Sequence, residues 1–441
     1  MKEGAHLQAI MDVLLEINEA SLPADAVIAN YFRGHRYIGS KDRAKISAAL
    51  YEVLRHMYRL NWWVGELLGD KLSAEERIRA VMILYLSLLK KFPPEPINAV
   101  FSGGKYAPAA LSDEEAAFLK KLEGRTMIHP NMSESVRLEC PPWAYALLKP
   151  HLVDAFESEM RAMQEPASLD IRINPIKTTR DEVLAELAVY EMKAKATPYS
   201  PYGIRIEGRP ALSQMALFKD GKIEVQDEGS QILSLMLDAK SGMSVVDFCA
   251  GAGGKTLAIA AGMNNKGRVV ACDVVGKRLD KAKLRFRRAG LHNIETHELK
   301  NENDQWVKHN AGKYDRVLID APCSGTGTWR RNPDARWKQL GPSLDELLAM
   351  QTRILNSAAR LVKTGGRLVY ATCSMFIEEN QSQVAAFLET HPDFKLMPLD
   401  AALPSQLSKI VALNSKAETL TLTPAKHKTD GFFGAVFEKK Q

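Results

Sequence analysis

Two cysteines stand directly after apolar runs that read as buried β-strands. Arg316–Ile319 leads into Asp320-Ala321-Pro322-Cys323-Ser324-Gly325-Thr326-Gly327, and Arg367–Ala371 leads into Thr372-Cys373-Ser374. In an open α/β sheet such loops lie at the carboxyl edge, where ligands bind, so both thiols are expected to face one crevice. Cytosine chemistry gives such a pair a purpose. C5 of cytosine is too electron-poor to attack a methyl sulfonium directly. A thiolate adding at C6 makes C5 enamine-like, and after methyl transfer a base must remove the C5 proton so that the thiol can leave. Free cysteine titrates near ~8.5, so the nucleophile needs help toward thiolate or a proton acceptor nearby. A carboxyl at Asp320 can bond the N3/N4 edge of the base and stabilise the activated ring. The competing reading is that cysteine is a small buried hydrophobe. That reading is preferred for Cys140, Cys249 and Cys272, and residue type alone leaves it open for Cys323 and Cys373.

A second constellation lies upstream. Val245-Val246-Asp247-Phe248-Cys249-Ala250-Gly251-Ala252-Gly253-Gly254-Lys255-Thr256 reads as a strand, a glycine-rich turn and a helix start. Glycines let the backbone turn tightly and approach a ligand, and the helix N-terminus favours an anionic or oxygen-rich group. Asp273 ends the next strand, twenty positions after Gly253, where a carboxylate can accept hydrogen bonds from both ribose hydroxyls. Together they predict an adenosine-containing ligand. Gly254-Lys255-Thr256 resembles the phosphate loop of NTPases, but the first glycine of that loop is replaced by Cys249. A structural turn without a ligand would leave Asp273 a coincidence. S-adenosylmethionine (SAM) is the preferred ligand.

The elements that must hold these groups in place fall into three regions. Residues 1–130 read as an all-helical domain, from the spacing of Ala9, Val13, Leu14 and Ile17 and of Ile46, Leu50, Val53, Leu54 and Met57. Ser40-Lys41-Asp42-Arg43 is a helix start signal, and Ser112 with Glu115 forms a capping box. Residues 131–240 read as a small α+β unit, with strands at Leu169–Ile173 and Gly203–Ile206, a helix over 179–188 and a lead-in helix over 226–237. Residues 241–441 alternate regularly. Strands at Val245–Phe248, Val269–Cys272, Arg316–Ile319 and Arg367–Ala371 are separated by helices near 255–262, 276–289, 343–362 and 378–389. This is the pattern of a doubly wound, mostly parallel α/β domain.

Composition narrows the function classes. The 441 residues are 46% hydrophobic and 25% charged, which excludes a disordered, collagen-like or disulfide-built chain. The net charge of +6 is compatible with a nucleic-acid partner without demanding one. No run approaches the ~18 apolar residues of a membrane span. Glu3, Asp12, Glu16 and Glu19 leave no signal-peptide core, so a cytoplasmic protein with reduced thiols is expected. The absence of CxxC pairs argues against zinc.

The motifs resemble those of the Sun/Nop family of RNA cytosine-5 methyltransferases, and its RsmB-type members in particular. Cys249–Thr256 resembles the family's SAM loop. Asp320–Gly327, continuing into Arg330-Arg331-Asn332-Pro333-Asp334 and Trp337, resembles its fourth motif, and Tyr370–Ser374 with Glu378-Glu379-Asn380 its sixth. Val225–Ser230 and Arg172-Ile173-Asn174-Pro175 resemble the family's lead-in helix and preceding strand. The resemblance implies a Rossmann-like SAM-dependent methyltransferase domain, with Cys373 as the nucleophile, Cys323 assisting release of the adduct and Asp320 holding the base beside the SAM methionine. DNA enzymes use the first cysteine and lack the second, so having both implies RNA. Cys249, Ala250, Gly251, Ala252, Gly253, Gly254 and Lys255 carry over as the SAM loop and Asp273 as the ribose ligand, Lys255 having as its alternative a solvated first-turn position. The sequence departs from the family at Ala252, where proline is usual, and at Leu299-Lys300, where a Gly-Asp pair near the adenine is usual; Asn301 and Asn303 are the nearby substitutes.

The same resemblance implies a NusB-like helical domain, an RNA-binding middle unit, a small-subunit rRNA substrate and no metal; a monomer is expected. Rival classes are a non-catalytic rRNA-binding assembly factor that keeps the fold, and a P-loop NTPase. Arg33, Arg36, Lys41, Arg43 and Lys45 are candidates for RNA phosphates, with helix capping the alternative for Arg43. Trp329, Arg330, Arg331, Arg336 and Trp337 combine stacking and phosphate-binding residue types, so RNA contact near the site is expected there, against tryptophan packing beneath the loop. The basic run Lys277–Arg288 is read mainly as a solvated helix face.

Overall fold

A computed structural model describes residues 1–413 and 417–441. The chain divides into two compact units, Met1–Pro166 with Trp329–Gly341, and Ala167–Thr328 with Pro342–Gln441.

The first unit is helical. Glu3–Glu19, Ala24–Gly34, Ser40–Arg55, Met57–Leu68 and Ala74–Leu84 pack around Val13, Ile17, Leu50, Leu60, Trp63 and Ile83, all essentially without exposure. The Ser112–Glu115 capping box forms as the sequence predicts. Ser40 does begin a helix, but its neighbour Asp42 turns to the N-terminal amine and His6 rather than capping. The unit does not end at residue 130. Glu134–Arg137, Pro142–Leu152 and Phe156–Ala162 continue it. Glu139, buried, accepts from Arg59 Nε at 2.9 Å and Tyr58 N at 2.9 Å, which ties this stretch into the helical core. Two of these helices have seven residues or fewer, so their periodicity is weak in the sequence.

Residues 329–341 also belong to this unit, and here the structure corrects an expectation. Trp329, Arg330 and Arg336 are buried. Trp329 meets Trp143 edge-on, and the Arg336 guanidinium lies 5.3 Å from the Trp329 ring centre. Arg336 donates to the Met163 carbonyl at 2.7 Å, Asp334 accepts from Ala24 N at 2.8 Å, and Trp337 packs on the helical core. Arg330 offers no open guanidinium and Trp337 only part of a ring, so packing rather than RNA stacking describes the segment; Arg331 is half-buried.

The second unit contains two sheets. The smaller is antiparallel, ordered β2-β3-β1-β4, with β1 Leu169–Ile173, β2 Ala194–Ala196, β3 Gly203–Ile206 and β4 Ile223–Val225. The helix Arg180–Val189, started by the Thr179–Glu182 capping box, packs Val183 and Leu187 into its core. The larger sheet comprises β5 Ser244–Asp247, β6 Arg268–Asp273, β7 Ile294–Glu298, β8 Tyr314–Asp320, β9 Val362–Thr372, β10 Phe394–Leu396, β11 Leu420–Leu422 and β12 Phe432–Lys439. Its path is β10-β12-β9-β8-β5-β6-β7, with β11 also on β12. Strands β5 to β9 run parallel, and β12 lies antiparallel to β9. The apolar runs alternate between two cores: Val245, Val269, Leu318 and Val369 enter one, and Val246, Val270, Val317 and Leu368 the other. Burial on both faces is why these strands read as continuous hydrophobic runs. Chain order reverses between β5 and β8, the switch point at which doubly wound sheets open a crevice.

The small sheet is clamped to the loop after β5. Arg172 donates to Gly254 O at 3.0 Å, and Arg285 to Ala252 O at 2.6 Å. Arg285 and Arg288 both pair with the buried Glu224 of β4. Lys277, Arg278, Lys281, Lys283 and Arg287 remain exposed, as a solvated face requires. No helix among the described residues is long and apolar enough to cross a membrane.

Candidate active site

β5 ends at Asp247, and the chain then makes its glycine turn before the helix Gly254–Gly262. Gly251 and Gly253 have φ of +55° and +79°, which side chains seldom adopt. A Cβ on Gly253 would also stand 2.6 Å from the Phe286 ring, so the turn needs glycine twice over. Asp273, at the end of β6, braces the loop: its Oδ2 accepts from Gly251 N and its Oδ1 from Val275 N, both at 2.8 Å. Each carboxylate oxygen keeps a lone pair for a further donor.

A cavity of about 750 Å³ opens here, lined by Asp247, Cys249 to Ala252, Lys255, Asp273, Val274, Leu299, Lys300, Asn301, Asp320 and Pro322 among others. Of the three residues considered for the missing family aspartate, Lys300 and Asn301 line it. Asn303 instead bonds to Asn301 and Arg360. Asp247 is fully buried. Its Oδ2 accepts from Thr256 Oγ1 at 2.6 Å, while its Oδ1 has no partner. Burial pushes the Asp247 carboxyl up to about 7. An orphaned carboxylate oxygen in the wall of a cavity is a seat for a cationic group. That suits the ammonium of SAM's methionine part, as Asp273 suits its ribose and the glycine cradle its close backbone approach.

Lys255 does not point to solvent. It is buried, and its Nζ donates to Asp320 Oδ2 at 2.5 Å. Burial opposes its charge, but Asp320, with Cys373 and Asp247 beyond, outweighs this and holds the ammonium above its usual range. The alternative of a solvated first-turn lysine is therefore excluded. This pair is 65 residues apart in the chain, and no local motif announces it.

The two loops after β8 and β9 do meet. Cys323 Sγ and Cys373 Sγ lie 3.4 Å apart, both half-buried. Backbone closes on backbone beside them: Gly327 N donates to Cys373 O, and a Cβ on Gly327 would fall 2.8 Å from that oxygen and 2.2 Å from Gly431 O. The contact to Cys373, followed by burial, raises the Cys323 thiol well above its ordinary range. Burial likewise raises Cys140, to about 12, and Cys249 and Cys272. Those three are inert thiols, although Cys249 also forms part of the cavity wall. Arg43 lies elsewhere, in the helical unit, where it donates to Ile38 O at 2.7 Å and lies over the Phe32 ring.

Beside the cysteines lie two buried residues: Glu379, which the resemblance placed in the sixth motif, and Gln351, which no motif marked. They bond across 28 residues, and neither forms a motif with the other. Among the described residues no group of three His, Cys, Asp or Glu is arranged to hold a metal ion.

A doubly wound sheet ordered in this way, with its cavity at the switch point, is the fold of the Rossmann-like methyltransferases, and SAM is the cofactor the cavity suits. The signature of the 16S rRNA methyltransferase RsmB/F family matches residues 234–438, and that of the RsmF/B-like ferredoxin-like domain matches residues 140–213. A Synechocystis protein named probable ribosomal RNA small subunit methyltransferase B is 31% identical over 97% of this chain and 98% of its own. Ribosomal RNA small subunit methyltransferase B of Proteus mirabilis is 28% identical over the full length of both. Among solved structures, PH0851 superposes with a TM-score of 0.79 at 28% identity, covering 100% of this chain and 99% of that one. NSun6 of Pyrococcus horikoshii, solved with the ligand SFG, shares the fold at 20% identity and a TM-score of 0.57, over 68% of this chain and 97% of its own. The chain belongs to the RsmB/F methyltransferase family.

Proposed function

We propose that this protein methylates C5 of a cytosine in small-subunit ribosomal RNA. The observation that carries the reading is the 3.4 Å approach of Cys323 and Cys373 at adjacent strand ends, next to the cavity suited to SAM. The names of the relatives support the rRNA substrate. SAM supplies a methyl group on an electrophilic sulfonium. Asp247, the glycine loop and Asp273 hold it. Cys373 adds as thiolate to C6 of the base, and the electron pair pushed to C5 makes that carbon the nucleophile. Asp320, fixed by Lys255, holds the N3/N4 edge. After C5 has taken the methyl group it loses its proton to a base, the Cys373–C6 bond breaks, and Cys323 assists this release. C6 must face one thiol and C5 the methyl group, so the target cytosine is unpaired or flipped out of its helix. The helical unit and the small sheet are the RNA-binding parts in this reading, and the protein acts in the cytoplasm as a monomer.

The test is methyl transfer from labelled SAM to unmodified small-subunit rRNA, followed by nucleoside analysis. Label in 5-methylcytidine is expected; label in another nucleoside, or none from folded, SAM-binding protein, contradicts the reading. The retained cysteine pair argues against a non-catalytic assembly factor, and that same result would exclude one.

Asp273 gives a separate prediction about the cofactor. Hydrogen bonds to a charged group contribute about 1.5–3 kcal/mol each. Losing two from the ribose hydroxyls, and the brace on Gly251, should weaken SAM binding by at least about 100-fold in Asp273→Ala. Calorimetry measures this directly; an affinity within threefold of the parent would remove Asp273 from the site.

A further inference from the structure

Behind the two thiols lies a buried polar network that the reaction as described does not use. Glu379, with no exposure, is its hub. Its Oε1 accepts from Ser324 N at 2.8 Å and Gln351 Nε2 at 2.9 Å, and its Oε2 from Ser324 Oγ at 2.5 Å. Gln351 also holds Pro322 O at 2.9 Å. Both neighbours of Cys323 are therefore fixed, one through Gln351 and one by Glu379 itself. The other cysteine loop joins the same network. Ser324 Oγ lies 3.1 Å from Ser374 Oγ, and Asn380, next to Glu379, donates to Ser374 O at 2.9 Å. Among the described residues no cation pairs with the Glu379 carboxylate.

The charges around the pair are unevenly placed. Glu379 is bound to the residue beside Cys323. The Lys255 ammonium, whose own charge is favoured by Cys373, is paired with Asp320. The remaining titratable groups are Tyr370 on β9 and, at the cofactor end, Asp247 and Cys249. Two thiols 3.4 Å apart cannot both ionise readily, so their surroundings decide which one carries the charge.

We propose that Glu379 is the positioning residue that divides the labour of the two cysteines: it anchors the Cys323 loop against the Cys373 loop and, as a buried anion on the Cys323 side, leaves the negative charge of the pair to Cys373. The Cys323 thiol is raised chiefly by the contact to Cys373 and by burial, and the Glu379 charge adds to this in the same direction. The inference rests on the reading of Cys373 as nucleophile and explains why two adjacent thiols do not exchange roles.

The experiment is site-resolved alkylation of the full-length protein with iodoacetamide, followed by mass spectrometry across pH 6–9, with no RNA present. Wild-type protein should be alkylated mainly at Cys373. Glu379→Gln keeps the shape and removes the charge, and should raise the Cys323-to-Cys373 ratio about tenfold, the effect of roughly one pH unit in thiol ionisation. A purely structural role would lower stability and leave the ratio alone; a ratio within twofold of wild type, in protein that still binds SAM, overturns the proposal. If Glu379→Gln does not fold, Ser324→Ala removes the hydroxyl bond to Oε2, together with the hydroxyl contacts to Ser374 and Thr326, and leaves the Glu379 side chain in place. It should raise the ratio at least threefold, and no change there also overturns the proposal. Methylation of rRNA by the wild type is scored separately, so failure of the functional reading and failure of this one are distinct results.

Discussion

Cys373→Ala is expected to lose methyl transfer by a factor on the order of 10⁴ or more, because no other group can take the place of a covalent nucleophile. Cys323 cannot substitute, although it lies 3.4 Å away. The contact to Cys373 and burial raise its thiol well above the ordinary range, and its loop is fixed through Ser324 and Pro322. The substitution is otherwise mild. Cys373 is half-buried, and the hydrogen-bond partner of its sulfur is Cys323. Thermal unfolding and SAM affinity should therefore stay close to those of the parent. This contrast makes the prediction specific: lost turnover, with the fold and the cofactor site intact, separates a missing nucleophile from a damaged protein. Turnover within tenfold of wild type would mean that carbon–sulfur bond formation does not occur at Cys373.

Asp320→Asn should be nearly as severe, with a loss of methyl transfer on the order of 10³-fold. The carboxylate has two tasks. It lines the cavity, where in the proposed reaction it holds the base edge, and it accepts the Lys255 ammonium at 2.5 Å. An asparagine keeps the size and removes the charge. Lys255, buried, is then left without its counter-charge. Breaking a fully buried pair costs about 3–5 kcal/mol. The Asp320 side chain is 33% exposed, so water screens part of this, and a stability loss of about 1–2 kcal/mol is expected. The loss in rate should exceed the loss in stability, because the group acts on the base as well as on the fold. Steady-state kinetics with rRNA, alongside thermal unfolding, measure both. Equal losses in both would reduce Asp320 to a structural partner of Lys255.

What could be read from the chain follows from how local each feature is. Gly251, Gly253 and Asp273 are separated by a single helix and strand, and their spacing carries the cofactor reading. The cysteine pair was legible because each thiol directly follows an apolar strand, and parallel strands bring such ends to one edge. The Lys255–Asp320 contact depends on the neighbouring of β5 and β8, which only the sheet order supplies. Glu379 was legible as part of the sixth motif, but its bond to Gln351 from the helix Leu344–Ala359 was not. The segment Trp329–Trp337 misled for a physical reason. Tryptophan and arginine stack on bases, but they pack on each other and on buried carbonyls equally well. Its partner Ala24 N lies 310 residues earlier than Asp334. The compact helical unit includes residues up to Pro166, tied in by the buried Arg59–Glu139 pair, a contact between segments 80 residues apart that no local pattern announces.

In the proposed reaction Cys373 forms the covalent bond to RNA and Cys323 assists its release. The measurement is a denaturing gel of Cys323→Ala protein incubated with SAM and unmodified small-subunit rRNA. A SAM-dependent protein–RNA band that survives denaturant and vanishes in the Cys323→Ala, Cys373→Ala double variant is expected. A band that persists in the double variant, or no band from protein that binds SAM and whose unmutated parent methylates the same RNA, would contradict it.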